Sequence, residues 1–567
     1  MATQQATSHA TWGIAPSVRR ALARSVLELR AALEDDFRRQ LAALGVRETG
    51  IQPLPAGRTL SPHEQRARDA AEAVVQREVE GGASHREALE SYIREAAFTF
   101  LNRVVGLRCL EERGLLLVDG QAETAIKALP AFNAPSLYWR VRRELPASTN
   151  PRDVWQETLY RACGAVSQQV RVLFDPDSEY AALLPLQPTL QKVVDALNSP
   201  DILSETYAQD EFLGWVYQYY NQQAKDQVYE RLGKGKKIER PEELAAATCL
   251  YTERYMVDYL LQNTLGALWV EMHPDSKLPE LWPYYVRPPG GNPRPQRAVR
   301  RLRDITVVDP ACGSGHFLVR AFDLLAQMYE EEGLERPEEV PHLILERNLY
   351  GIDIDLRSVQ IAALALYLKG CARAGPGFRP RRLNLVPADA VLPGDSPPRE
   401  YMKRFQGDPE VEALVTGIWQ GLRNVREFGS LLHPERAVDE VVRKRDQEDR
   451  GKFPMLQRGE AEWALWKAEL LKGLREEFEQ QAQSQDLGQR LFGQEAAKGV
   501  TLVEALGDRY DVVVTNPPYA GSKNLNPRLK TFVEKEYKEG KRDLYAAFIL
   551  RCRDFCSPGS YVGMVTQ

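Results

Sequence analysis

Cysteine, histidine and methionine are scarce, seven of each in 567 residues. The cysteines stand at 109, 163, 249, 312, 371, 552 and 556 with no C-x-x-C pair. That excludes a disulfide frame and the usual zinc modules, and it suits a reducing cytoplasm. Cys552 and Cys556 lie four apart on a helical pattern, but no second ligand pair follows. They read as packing residues, and no metal is expected. Long apolar runs are also missing: no window approaches the ~18 uncharged apolar residues of a membrane span. The opening "MATQQATSHATWG" lacks the charged and apolar regions of a signal peptide. Nor is there an excess of positive charge. Lys plus Arg number 74 against 79 Asp plus Glu, a net charge of −5. A whole-chain basic coat for nucleic acid is thereby excluded, and any such contact must come from local patches. Repeats and low-complexity tracts are absent too.

What is present is a long, ordinary globular composition, 43% hydrophobic and 27% charged. At about 150 residues per domain the length suggests three or four domains. From about 17 to 118, apolar residues recur at three and four with charges between them, which predicts amphipathic helices. The most apolar of these stretches, "SYIREAAFTFLNRVVGLRCLEERGLL", predicts a central helix. More helix follows to 230, including the aromatic "EFLGWVYQYYN". Two basic stretches come next, "RLGKGKKIER" (231–240) and the Pro/Gly/Arg-rich "RPPGGNPRPQRAVRRLR" (287–303). Each reads either as a solvated connector or as a strip that touches phosphates.

After residue 304 short β-branched runs ("DITVVDP", "LYGIDI", "YDVVVTN", "YVGMVT") alternate with helical ones. That predicts a doubly wound parallel sheet covered on both faces. The expected organisation is a helical N-terminal domain (1–235) and an α/β domain (236–567), with a polar helical insertion at 395–505 on the surface.

"VVDPACGSGHFLVRAF" is a strand, a small-residue turn and a helix. Ala311, Cys312, Gly313, Ser314 and Gly315 can bring backbone N–H groups close to a ligand. A dinucleotide site fails on two counts: Leu318 stands where the third glycine should be, and the next strand ends on Asp353, 40 residues past Gly313. Asp353 can instead accept both hydroxyls of a ribose, and Asp389 in "VPADAV" can accept from an adenine amino group. A compact loop after Asp309 admits a zwitterion in place of a pyrophosphate. Together these parts point to S-adenosylmethionine.

"NPPY" (516–519) ends the apolar run "VVVT". Asn516 and Pro517 each precede a proline and are held extended, so Pro517 and Pro518 make a stiff corner. The Asn516 side-chain oxygen and the Pro517 carbonyl then form two acceptors aimed at one spot. An exocyclic amino group needs both of its hydrogens held so that its lone pair can turn toward an electrophile. Tyr519 supplies a flat face for a planar base.

In this order, loop before NPPY, the residues resemble the amino-methyltransferases of DNA. "TCLYTERYMVDYLLQNTLG" (248–266) looks like their upstream segment, in which Tyr251 and Thr252 would help close over methionine; Glu253 replaces the usual proline. More narrowly, "AAFTFLNRVVGLRCLEERG", "FLGWVYQYYN", "DPACGSGHFLVRAFDLLAQMY", "GIDIDLRSVQIAALALYLK" and "DLYAAFILRC" resemble the adenine methyltransferases of BREX phage-defence systems, the PglX type. The resemblance implies methylation of the adenine 6-amino group in double-stranded DNA, marking host DNA as self, with the base flipped out. It also implies other defence subunits as partners. "YVGMVTQ" resembles the fifth strand of such a sheet, so this chain is expected to be the N-terminal part of a longer protein without a target-recognition domain. Basic residues near the corner, Lys523, Arg528, Lys530 and Lys541, are candidates for contacts with the DNA backbone. Other readings stay open: a methyltransferase of RNA or of protein side chains, a restriction-methylation enzyme with its own nuclease, or a cofactor-binding scaffold subunit. For the nuclease, "FDPDSEYAALLP" offers acids but no lysine at suitable spacing.

Overall fold

The computed structural model describes residues 14–566 except 55–56, 81, 131–132, 249–251, 289–296, 391–396, 398–401, 403–408, 453–459 and 484–486. Tyr251, one of the candidate cofactor residues, lies outside the described residues.

Apolar spacing builds the N-terminal half from helices, among them α1 (Pro16–Ala43), α2 (Pro62–Glu80), α3 (His85–Glu112), α4 (Phe212–Gly233) and α5 (Pro241–Thr248). Helix α3 starts at a capping box between Ser84 and Glu87, and every residue from Ala96 to Glu111 is buried. A helix apolar on all sides has to sit at the centre, and α3 does. Among the described residues no helix is long and apolar enough to cross a membrane.

The second half is organised by five strands: β1 (Val307–Asp309), β2 (Leu349–Asp353), β3 (Asn384–Pro387), β4 (Tyr510–Thr515) and β5 (Cys556–Met564). Their order is β3-β2-β1-β4-β5, with every pair parallel. All of β1 and β4 is buried, which is why each carries consecutive valines. Successive side chains point to opposite faces. Val307, Val512 and Val514 thus join one core and Val308 and Val513 the other.

Those two cores redraw the expected layout. The first runs without a break from the N-terminal helices to one sheet face, through α6 (His316–Glu332) and α7 (Leu356–Ala374). The second covers the other face with helices from the 395–505 segment, α8 (Pro409–Leu422) and α9 (Leu487–Gly507), together with α10 (Pro527–Glu536) and α11 (Leu544–Asp554). The expectation of a surface insertion is therefore corrected. Leu414, Val415, Ile418, Leu422, Val500, Val503 and Leu506 are buried in this second core, where α9 packs on β3; the polar stretch 460–481 between these two helices gave the insertion its surface character in the sequence.

Candidate active site

Strand order reverses between β1 and β4, and open α/β sheets bind ligands outside the carboxyl ends of such a pair. Here β1 ends on Asp309 and β4 on Thr515, immediately before Asn516. A cavity with about 1040 Å³ of open space lies at this point.

The glycine loop forms its floor. Gly313 (φ 52°) and Gly315 (φ 85°) are left-handed, a conformation that a side chain would strain. The turn aims N–H groups at the strand ends: Gly313 donates to Asp353 Oδ2 (2.8 Å) and Cys312 to the Ile352 carbonyl (3.0 Å). Asp353 Oδ1 accepts from the Asp355 N–H at 2.9 Å, so both oxygens of the carboxylate are held by the backbone at the cavity wall. Asp309 is 1% exposed and accepts from the Ala311 N–H at 3.1 Å. Burial pushes Asp309 up to about 7 and Asp353 up to about 6. Among the described residues no cation pairs with either one. A buried and a half-buried carboxylate without a counter-ion among the described residues, beside a compact loop, fit a ligand that carries positive charge and hydroxyls.

The NPPY corner forms the opposite wall. Asn516 Nδ2 donates to Thr252 Oγ1 at 3.0 Å, and its Oδ1 accepts from the Tyr519 hydroxyl at 2.8 Å. That hydroxyl also lies 2.8 Å from the Val565 carbonyl. Its single proton serves one acceptor at a time, so Val565 offers an alternative whenever Asn516 takes another donor. Burial raises Tyr519 to about 12, which keeps it neutral and able to donate. Its ring lies 5.9 Å from that of Tyr545.

Of the residues singled out in the sequence, the cavity gathers Thr252, Asp309, Ala311, Cys312, Gly313, Asp353, Asn516 and Pro518. Gly315 sits behind the loop, where a Cβ would lie 2.9 Å from that of Ala362. Pro517 is buried and Tyr519 stands beside the cavity. Asp389 lines a neighbouring cavity that shares the walls Ala245 and Ile354. There it faces Lys498 at 3.6 Å, and its Oδ1 has no hydrogen-bond partner. Lys523 and Lys541 are exposed, Arg528 opens on a broad cleft, and Lys530 lies 3.9 Å from Glu534.

Two contributions escaped the sequence. Helix α4 lies across the loop, with Gly214, Tyr217 and Gln218 on the cavity. A Cβ on Gly214 would sit 2.6 Å from His316 Cε1, so only glycine allows this approach. His316 is held near 4 by burial and is therefore neutral, with Ser314 Oγ 3.1 Å from its Nε2. The lone glycine inside "EFLGWVYQYYN" was the available signal. The other contribution comes from the insertion: Phe428, Gly429 and Ser430 line the cavity, Ser430 Oγ donates to the Pro310 carbonyl (2.6 Å), and Arg551 Nε donates to the Ser430 carbonyl (2.9 Å).

Residues 347–567 match the family model described as Eco57I restriction-modification methylase, and residues 292–373 match that of the MmeI DNA-methyltransferase domain. Over 82% of its length the chain is 29% identical to the adenine-specific methyltransferase BrxX of Escherichia coli O9:H4 (strain HS), of which it covers 39%. Over 97% it is 25% identical to the adenine-specific methyltransferase PglX of Lacticaseibacillus casei (strain Zhang), covering 46%. It thus spans less than half the length of these relatives. A solved structure titled "cryoEM structure DrdV-DNA complex" aligns over 96% of this chain and 35% of that one, at 13% identity and a TM-score of 0.37, too loose a likeness to bear on the fold. By sequence, the chain is similar to the adenine-specific methyltransferases BrxX and PglX.

Proposed function

We propose that this chain carries the catalytic centre of a DNA adenine-N6 methyltransferase that marks host DNA as self within a cytoplasmic BREX-type phage-defence system. The observation that carries this reading is the Asn516 amide, held at the switch point of a parallel sheet beside the buried Asp309 and the half-buried Asp353, neither paired with a cation among the described residues. S-adenosylmethionine, when bound, supplies an electrophilic methyl group on a sulfonium. Asp353 is suited to hold its ribose hydroxyls and the loop from Ala311 to Gly313 its amino-acid end. Asp389, which lies next to the shared wall at Ile354 with Lys498 3.6 Å from its Oδ1, is suited to accept from its adenine amino group.

Thr252 accepts from Asn516 Nδ2 and so fixes which end of the amide is Oδ1, the acceptor that the Tyr519 hydroxyl now occupies and that a substrate amino group would take over. Asn516 Oδ1 and the Pro517 carbonyl would hold the two hydrogens of adenine N6, which moves the nitrogen lone pair out of conjugation. Alignment of this kind contributes roughly 7 to 11 kcal/mol where reactants are fully oriented. Tyr519 gives the base a face, and its hydroxyl can turn to Val565 when Asn516 takes up the amine. The amine sheds its extra proton after methylation, so no strong base is required. Because N6 lies inside the duplex, the base is expected to be extruded.

The test is to sequence genomic DNA from a host with and without the full-length gene. One adenine motif methylated only in the presence of the gene is the expected result. Unmethylated DNA, with methyl groups found instead on RNA or protein, would overturn the reading.

A further inference from the structure

Helix α4 ends in the basic turn 231–240, and backbone hydrogen bonds carry this turn to the loop that follows NPPY. The Ile238 N–H donates to the Asn524 carbonyl (2.8 Å), and the Ser522 N–H donates to the Arg542 carbonyl (2.9 Å). Gly521 and Asp543 form an isolated antiparallel bridge. These bonds bring three segments together, each within two residues of an exposed cation: Lys236 and Lys237 from the first, Lys523 from the second, Lys541 and Arg542 from the third.

Among the described residues none of these five cations makes an ion pair. The acids closest in sequence are engaged elsewhere: Glu239 lies 3.1 Å from Arg231, and Asp543 accepts from the Ala520 and Tyr545 N–H groups. Among the described residues Glu539 is exposed and Asp543 is held by N–H groups, and neither pairs with a cation. Ile238, 4% exposed, anchors the turn. Lys236 and Lys237 add nothing to that packing, and gathering like charges is unfavourable unless an anion covers them.

The broad cleft beside this surface is a poorer anion track. Its lining carries Glu78, Glu80, Glu87, Glu239, Glu242 and Glu427 against five arginines, of which Arg426 is bound to Glu78 at 2.7 Å.

We propose that the surface formed by Lys236, Lys237, Lys523, Lys541 and Arg542 grips the phosphodiester backbone of the duplex next to the extruded base. The turn after α4 thereby takes part in holding DNA. This inference rests on the reading of the chain as a DNA methyltransferase and adds to it a contact surface from outside the sheet.

The experiment uses the full-length protein and a short duplex of arbitrary sequence, with affinity measured across a series of salt concentrations. For K236A/K237A the slope of log affinity against log salt should shrink by about one to two, equally for unrelated sequences, because each phosphate contact releases about one counter-ion. Calorimetry should show unchanged affinity for S-adenosylmethionine, which certifies that the variant is folded. R300A/R301A in the linker should leave the slope at the wild-type value. An unchanged slope in K236A/K237A overturns the role of the turn, and an unchanged slope in K523A/K541A as well overturns the whole surface. Either failure leaves the methylation reading standing if those variants still methylate DNA. A wild-type protein that methylates no DNA overturns that reading itself.

Discussion

Residues 231–240 and 287–303 are both dense in lysine and arginine, and in sequence each could equally be a connector or a phosphate strip. Folding separates them. In the second stretch Arg297 pairs with Glu271, Arg300 with Asp511 (2.5 Å) and Arg301 with Glu335 (2.7 Å). Asp511 lies at the start of β4, five residues and about 16 Å along the strand from Asn516. In the first stretch Lys236 and Lys237 stand exposed and unpaired next to the NPPY loop. On the proposed reading, partnered charge fastens this chain to itself, whereas the lysines left without a partner among the described residues, beside the loop after NPPY, await a ligand. The acids obey the same division. Asp355 is bound by Arg357 and Tyr217, while Asp309 and Asp353 face the cavity without a cation.

The division can be broken most forcefully at Arg297. Glu271 is 3% exposed, with Arg297 and the Tyr561 hydroxyl as its partners. Arg297→Ala should lower stability by about 2 kcal/mol, below the value for a fully buried pair because the guanidinium is partly solvated. Urea denaturation measures this, and the salt slope of DNA binding should not move. A normal stability together with a smaller slope would place the linker on DNA instead.

A smaller effect is expected from the acids. With folded values raised to about 6 and 7, Asp353 and Asp309 hold protons that the unfolded chain has already released. Their contribution to stability is therefore present below the ordinary carboxyl range near 4 and is lost as pH rises toward 7. A cationic ligand favours the ionised forms, so affinity for S-adenosylmethionine should rise about tenfold between pH 5 and 8. Asp309→Asn should flatten that rise, and a pH-independent wild type would remove the electrostatic account of the pocket.

Thr252 extends the comparison to a neutral pair. If it orients the Asn516 amide, Thr252→Val should lower kcat several-fold with little change in cofactor affinity, and Thr252→Ser should restore it. A loss confined to cofactor affinity would return Thr252 to the methionine-closing role implied by the resemblance. The smallest effect belongs to Lys523→Ala, a salt slope reduced by about one.

The sheet was legible because β1 and β4 are buried on both faces and therefore carry consecutive valines. The loop and the corner were legible because left-handed glycines and consecutive prolines constrain the backbone locally, independent of distant contacts. The rest depends on contacts across hundreds of residues that no local pattern records. Gly214 meets His316, Thr252 meets Asn516, and Ser430 meets Pro310 only after the helices have packed. Asp389 shows the same limit from the other side: its place after the third strand suggested the cofactor, yet its neighbour, Lys498, arrives from the insertion. The insertion itself was misplaced because the charged stretch 460–481 dominates its pattern, while the apolar helices on either side of it bury their residues only against distant parts of the chain.

The most direct test of the central claim is methyl transfer in vitro. Full-length protein would be incubated with methyl-labelled S-adenosylmethionine and genomic DNA, and the digested nucleosides analysed by mass spectrometry, with Asn516→Ala in parallel. The account predicts labelled N6-methyladenine from the wild type and none from a variant that still binds the cofactor. Label on adenine N6 at undiminished rate in Asn516→Ala would contradict it.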